Sequence, residues 1–321
     1  MNNIRIGLIG TGGIAELHVR QLAVVPEAEV VAIAYHNETN AKAFAERTGL
    51  QEARLFNDYR EMYEQAGLDA VLICSPHTHH FDQASEALQQ GLHVLLEKPM
   101  TCTSNEAEKL LEIAAASGKL LQVSYQRHFQ PEFIYIREAI RGGQIGKLTS
   151  VTASLYQDWI HLTKGTWRQV PQLSGGGFLL DSGSHIIDML LWTTGLTPVE
   201  VTSRLSMHGT AVELDTFTSI RFKEGAIAGL NLVGNAPLWH ESYMFCGEKG
   251  AIFYDNGKIS LHRLGEAPII PELPAQTTDT DKSFIDAIKG RHEVMVSGEF
   301  ALQVIRLSEM IYQAAGYEPL A

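Results

Sequence analysis

Short apolar runs alternate with amphipathic stretches along the first 125 residues. Ile4, Ile6, Leu8 and Ile9 open the series, and runs of similar length recur at Val30-Val31-Ala32-Ile33-Ala34, at Ala70-Val71-Leu72-Ile73-Cys74, at 93–96 and at 120–123. Apolar runs this short, bounded by turn residues, read as buried strands. Between them, apolar positions recur at helical spacing over 15–25, 40–48, 57–66 and 81–90, and again behind Thr103. The punctuation agrees. Pro26 stops the first helix, Gly49, Gly91 and Gly118 close later ones, and Thr103 with Glu106 three residues on forms a capping box. Strand and helix in alternation predict an α/β fold with a doubly wound parallel sheet. Right-handed crossovers then bring the C-terminal end of each strand, and the loop after it, to one edge.

The pattern changes after Tyr125. A helix is expected over 131–141, followed by alternating stretches at 148–156, 199–207, 217–222, 226–232, 243–246, 251–254 and 259–262. Lys223-Glu224-Gly225 and Asn256-Gly257 separate two pairs of them, which predicts antiparallel hairpins. A helix over 177–192 interrupts the set, 268–276 is a proline-bearing surface loop, and helices over 281–289 and 298–315 close the chain. Two domains are expected, 1–124 and 125–321.

Composition narrows the function. A chain of 321 residues is long enough for two domains with real cores. Lys and Arg number 25 against 37 Asp and Glu, a formal charge of −12, which without a basic stripe argues against nucleic acid and anionic membranes as partners. No apolar run is long enough to span a bilayer, and Met1-Asn2-Asn3 leads straight into the first strand without a signal peptide. The three cysteines, Cys74, Cys102 and Cys246, have neither framework nor metal spacing, and fit packing roles in a reducing cytoplasm.

Candidate chemistry begins at Gly10-Thr11-Gly12-Gly13-Ile14-Ala15. A Gly-x-Gly-x-x-Ala turn between a strand and a helix is the setting of a dinucleotide site. Gly10 permits the tight turn, Gly12 lets a pyrophosphate approach the backbone, and Ala15 lets helix and strand pack closely. The N–H groups of the helix start, at Gly13 and Ile14, would hold the phosphate charge. The alternative is a tight turn with no ligand. At the end of the second strand, where an acid usually binds the ribose 2′-hydroxyl of NAD, stand Tyr35, His36 and Asn37. No carboxylate there repels a 2′-phosphate and no Arg or Lys draws one in, so NAD and NADP both stay open.

Lys98 follows a parallel strand at the edge where such sheets bind ligands, and Pro99 fixes the backbone behind it. It could hydrogen-bond a reacting hydroxyl and favour a developing alkoxide, or be a solvated loop lysine. Asp181, His185 and Asp188 would share one helix face behind Gly175-Gly176-Gly177, away from Leu180, Ile187, Leu190 and Leu191. His185 could take a proton from a substrate hydroxyl with Asp181 orienting it, or the trio could be a structural contact. Ser75 and Pro76 lead into His77, His79 and His80, whose rings suit stacking or capping beside a cofactor better than metal ligation. Trp159, Trp167 and Arg168 suit a hydroxylated ring, or could close an interdomain seam.

These residues together resemble the Gfo/Idh/MocA oxidoreductases. The likeness rests on Gly7-Leu8-Ile9-Gly10-Thr11-Gly12-Gly13-Ile14-Ala15, on Glu97-Lys98-Pro99, and on the spacing of Gly175-Gly176-Gly177, Asp181, Gly183, His185 and Asp188. It implies a Rossmann domain, then an α/β domain with a large, mostly antiparallel open sheet. It implies NAD(P), a sugar, inositol or related polyol substrate, and Lys98, Asp181 and His185 as the catalytic trio. The segment Tyr125-Gln126-Arg127-His128 looks like the family's Asn/Gln-Arg segment, with Gln126 near the nicotinamide, Glu97 beside it and Arg127 toward substrate. Two departures stand out: His77 replaces the asparagine of the family's Pro-Asn, and the acid after the second strand is absent. The expected reaction is reversible oxidation of a secondary alcohol. Redox-assisted glycoside cleavage or epimerisation with retained cofactor is an alternative, and a non-catalytic nucleotide-responsive regulator is another. A homodimer or homotetramer is expected through the amphipathic sheet, unless helices cover that face.

Overall fold

The computed structural model describes residues 3–319. Met1 and Asn2, read above as leading into the first strand, lie outside them. The first stretch of chain runs β1 (Ile4–Ile9), α1 (Gly13–Leu22), β2 (Ala28–Ala34), α2 (Glu38–Thr48), β3 (Arg54–Phe56), α3 (Tyr59–Gln65), β4 (Ala70–Ile73), α4 (His80–Gln89), β5 (His93–Glu97), α5 (Ser104–Ser117) and β6 (Leu121–Ser124). These strands form one sheet in the order β3-β2-β1-β4-β5-β6, parallel at every pairing. The order reverses direction between β1 and β4, the switch point of a dinucleotide-binding sheet.

The sequence signals act where expected. Thr103 and Glu106 close a reciprocal capping box on α5. The core of this unit gathers Ile6, Leu8, Ile33 and Leu72 from the strands with Ala15, Val19 and Leu22 from α1. The short β3 is not predicted: three residues, only one of them buried, carry no period.

The second stretch holds α6 (Pro131–Arg141), β7 (Leu148–Tyr156), α7 (Trp159–Leu162), α8 (Pro171–Ser174), α9 (Gly183–Thr194), β8 (Pro198–Ser206), β9 (Asp215–Phe222), β10 (Ile227–Val233), β11 (His240–Gly247), β12 (Gly250–Asp255) and β13 (Lys258–Arg263). The seven strands order as β13-β12-β11-β7-β10-β9-β8. The hairpins expected at Gly225 and Gly257 join β9 to β10 and β12 to β13 in antiparallel register. All pairings are antiparallel except β7 with β10, which is parallel. One face of the sheet is buried, α9 packing on β7 and α6 on α9. On the other face the alternation leaves Phe217, Arg221 and Ile227 exposed.

Two helices follow, α10 (Thr280–Ile288) and α11 (Gly298–Ala315). The chain clusters into two units: residues up to Gln126 with Thr278–Leu302, and Arg127–Thr277 with the remainder. The return of Thr278–Leu302 to the first unit departs from the expected division at 124/125. Phe284 and Ile285 of α10 enter the core of the first unit, and α10 packs on α1. No helix among the described residues is long and apolar enough to cross a membrane.

Candidate active site

At the C-terminal edge of the first sheet the chain leaves β1 through Gly10, at φ +94°, and a Cβ there would stand 2.6 Å from the Cys74 carbonyl oxygen. Both the left-handed backbone and the end of β4 therefore demand glycine. Gly12 and Gly13 are exposed, and a Cβ on either would meet nothing within 4 Å. Gly12 is the N-cap of α1 and brings no side chain to close it. The first N–H groups of α1, past Gly13 to half-buried Ile14, thus open onto side-chain-free space, and Ala15 is fully buried behind them. That arrangement fits a pyrophosphate.

The neighbouring loops carry the other coenzyme candidates. After β2, the Tyr35 N–H donates to the Phe56 carbonyl, Tyr35 is half-buried and His36 is exposed. The Asn37 side chain accepts the Asn40 N–H at 2.9 Å as the N-cap of α2. After β4, Ser75 Oγ donates to Gln83 Oε1 at 2.6 Å, and Pro76 opens a 3-10 turn over His77–His79. His77 is buried, edge-on to His80 with ring centroids 5.8 Å apart. His80 is fully buried, Nδ1 lying 2.7 Å from the Pro99 carbonyl and Nε2 3.0 Å from that of Ser75. Burial holds its pKa below the ordinary value. With both nitrogens on backbone carbonyls, His80 ties the two loops together and has no ring nitrogen left to hydrogen-bond a coenzyme. Among the described residues no group of three or more His, Cys, Asp or Glu is placed to hold a metal ion.

Beyond β5 the sheet edge becomes charged. Lys98 is half-buried, and the Lys98–Pro99 peptide is cis. Glu97 is buried and surrounded. Its Oε1 lies 2.9 Å from His18 Nε2 and accepts Gln126 Nε2 at 3.0 Å, while Oε2 accepts the Lys98 N–H at 3.2 Å. On the far side of the imidazole, His18 Nδ1 is 2.9 Å from each carboxylate oxygen of Asp281. Burial opposes a charge on His18, yet Asp281 and then Glu97 push its pKa up to about 10. Burial also works against the Glu97 charge, but His18 and Lys98 bring its pKa below the usual range. For Asp281 burial outweighs His18, and the pKa is raised.

In the second unit α9 starts at Gly183, six residues later than expected. The carboxylate of Glu213 accepts the N–H groups of Gly177 (2.9 and 2.8 Å) and Leu179 (3.1 Å), and the Phe178 N–H donates to the Glu213 carbonyl at 2.9 Å. Those bonds hold 177–182 as a separate turn. A Cβ on Gly177 would lie 2.1 Å from the Glu213 carbonyl oxygen, which accounts for glycine there. Tyr312 donates its hydroxyl to Glu213 Oε1 at 2.8 Å, and burial pushes the Glu213 pKa up to about 7.

Asp181 therefore stands in the turn and not on the helix. Its Oδ2 accepts Trp159 Nε1 at 2.9 Å and Arg168 Nε at 3.0 Å. His185 is half-buried in the first turn of α9. Trp159 is 1% exposed and packs against Phe178, so its indole supports Asp181 from within the core. Arg168 stacks over half-buried Trp167 at 4.5 Å. Arg127 is buried with its guanidinium on Glu241 at 2.8 Å. Asp188 parts from its neighbours on the helix: it is fully buried, 2.7 Å from His128 Nε2. Burial raises its pKa despite that contact.

His18, Asp281 and Glu213 are not expected from the sequence. His18 has a legible signal, a histidine inside the buried stripe of Ala15, Val19 and Leu22. Glu213 has none: it precedes a strand, and its partners, the N–H groups of Gly177 and Leu179 and the Tyr312 hydroxyl, lie far along the chain.

The sequence matches the oxidoreductase family with an NAD-binding Rossmann fold over residues 4–125, and the GFO/IDH/MocA C-terminal domain over residues 133–253. It is 25% identical to D-glucoside 3-dehydrogenase of Escherichia coli (strain K12), over 97% of this chain and 95% of that protein. It is 28% identical to myo-inositol 2-dehydrogenase of Thermotoga maritima, over 79% of this chain and 75% of that one. The fold is similar to that of the WlbA dehydrogenase from Bordetella pertussis, solved with NADH and UDP-GlcNAcA, with a TM-score of 0.88, 25% identity and coverage of 98% and 96%.

Proposed function

The chain belongs to the GFO/IDH/MocA family of oxidoreductases, and from that premise we propose that it moves a hydride between NAD(P) and a secondary alcohol of a cyclic sugar, inositol or related polyol. The observation that carries the reading is Lys98 at the coenzyme edge, directly after a buried Glu97 whose charge His18 sustains. The relatives named for a D-glucoside and for myo-inositol support a ring polyol as substrate.

When bound, the coenzyme supplies the hydride acceptor. Gly10, Gly12, Gly13 and Ile14 hold its pyrophosphate, and Tyr35 and His36 flank the adenosine half. Gln126 and Glu97 serve the nicotinamide half. Lys98 donates to the reacting hydroxyl and offsets the charge that develops on its oxygen. Neutral His185 takes the hydroxyl proton on an imidazole nitrogen. Asp181, held by Trp159 and Arg168, stabilises the resulting imidazolium. Trp167 and Arg168 meet the other hydroxyls of the ring, while Trp159 and Arg127 act from behind, through Asp181 and Glu241. The first unit serves the coenzyme and the second the substrate. The chain self-associates as a homodimer or homotetramer through the open face of the seven-stranded sheet, and works in the cytoplasm.

The test is a panel of pyranosides, free sugars and inositols offered with NAD+ and NADP+ side by side, following absorbance of the reduced nicotinamide. At least one ring polyol should reduce the coenzyme. A folded, coenzyme-binding protein that oxidises none of them, and whose reduced coenzyme no ring ketone reoxidises, contradicts the proposal.

A further inference from the structure

Three ionisable side chains lie in one line inside the first unit. Asp281 and His18 are fully buried and Glu97 nearly so. Such clusters seldom add stability over apolar packing, because each charge must be stripped of water. The line ends at the active edge of the sheet, on Gln126 and the Lys98 amide. Its ordering is forced link by link. Both ring nitrogens of His18 face carboxyl oxygens, and with both carboxylates ionised both nitrogens donate and the ring is an imidazolium. Glu97, with His18 Nε2 and Gln126 Nε2 on one oxygen and the Lys98 N–H on the other, is surrounded by donors and acts as an acceptor on both oxygens. Gln126 must then turn its Nε2 inward, where it donates to Glu97 Oε1 at 3.0 Å and reaches Ser124 Oγ at 3.3 Å. The remaining Oε1 is an acceptor by elimination. In a doubly wound sheet whose β1–β3 half takes the adenosine, the ends of β4–β6 take the nicotinamide half.

We propose that the Asp281–His18–Glu97 line fixes Gln126 as an acceptor toward the coenzyme, so that the protein reads the amide N–H of the nicotinamide carboxamide. The inference rests on the coenzyme reading above and adds a specificity device to it. His18 and Asp281 are positioning residues, acting through Glu97 and Gln126.

Equilibrium binding of the preferred coenzyme and of its 3-acetylpyridine analogue tests this, because the analogue keeps the carbonyl and lacks the N–H donors. The wild-type protein should bind the natural coenzyme about tenfold more tightly than the analogue, the worth of one directed hydrogen bond. Gln126→Met should bring the ratio close to one. Glu97→Gln should do the same, since a neutral amide lets Gln126 face either way. Asp281→Asn, which touches neither Glu97 nor Gln126, should lower the ratio in the same direction because the imidazole is no longer held as a cation. The proposal is overturned by a wild-type ratio near one, by variants that weaken both ligands in parallel, or by loss of the ratio in Gln126→Met with its retention in folded Glu97→Gln and Asp281→Asn. A wild-type protein that binds neither NAD+ nor NADP+ would remove the coenzyme reading itself.

Discussion

At the scale of single residues, the candidate site is made of side chains whose partners decide what they can do. Asp181, His185 and Asp188 look equivalent by spacing, yet Asp188 is fully buried against His128 while Asp181 is held by Trp159 and Arg168. Trp159 and Arg127, read from the sequence as substrate contacts, are each tied to a carboxylate, Trp159 to Asp181 and Arg127 to Glu241. Spacing shows which residues share a face and cannot show which partner claims each one. Glu213 illustrates what stays hidden: a carboxylate buried under the turn that carries Asp181. Its folded pKa of about 7 lies above its ordinary 4.5, so the native state holds its proton more tightly than the unfolded chain does. The associated stability is full below the ordinary value and is lost as the pH rises through about 7. Glu213→Gln removes that dependence. Raising the pH from about 4 to about 8 should therefore cost the wild-type protein about 3 kcal/mol more than the variant in urea unfolding. Parallel stability curves would show that the carboxylate is not held this way.

At the scale of elements, periodicity and punctuation carry most of the fold. The parallel sheet, the capping box at Thr103, and the hairpins at Gly225 and Gly257 follow from local chemistry that the sequence displays. The departures have one cause in common, a partner distant in sequence. α9 begins at Gly183 because Glu213 takes N–H groups of the preceding turn. The parallel pairing of β7 with β10 joins strands that no short turn links. α10 has the apolar face of any packed helix, and nothing in that face says which core it enters. His18 is the exception, since a histidine within a buried apolar stripe demands a buried partner.

At the scale of the whole molecule, two properties remain to be measured. The open face of the seven-stranded sheet, with Phe217 50% and Ile227 56% exposed, is the surface proposed for self-association. Sedimentation should give a dimer or tetramer, and Ile227→Lys should shift it toward monomer; a wild-type monomer at micromolar concentration would refute the interface. The central proposal is that Lys98 and His185 both act on the reacting hydroxyl. Single-turnover reduction of bound coenzyme by the best ring polyol, in Lys98→Met and in His185→Ala, tests it most directly. The account predicts that each variant slows the hydride step by about a hundredfold or more while the coenzyme dissociation constant stays within about twofold. A hydride step as fast as wild type in either variant would contradict it.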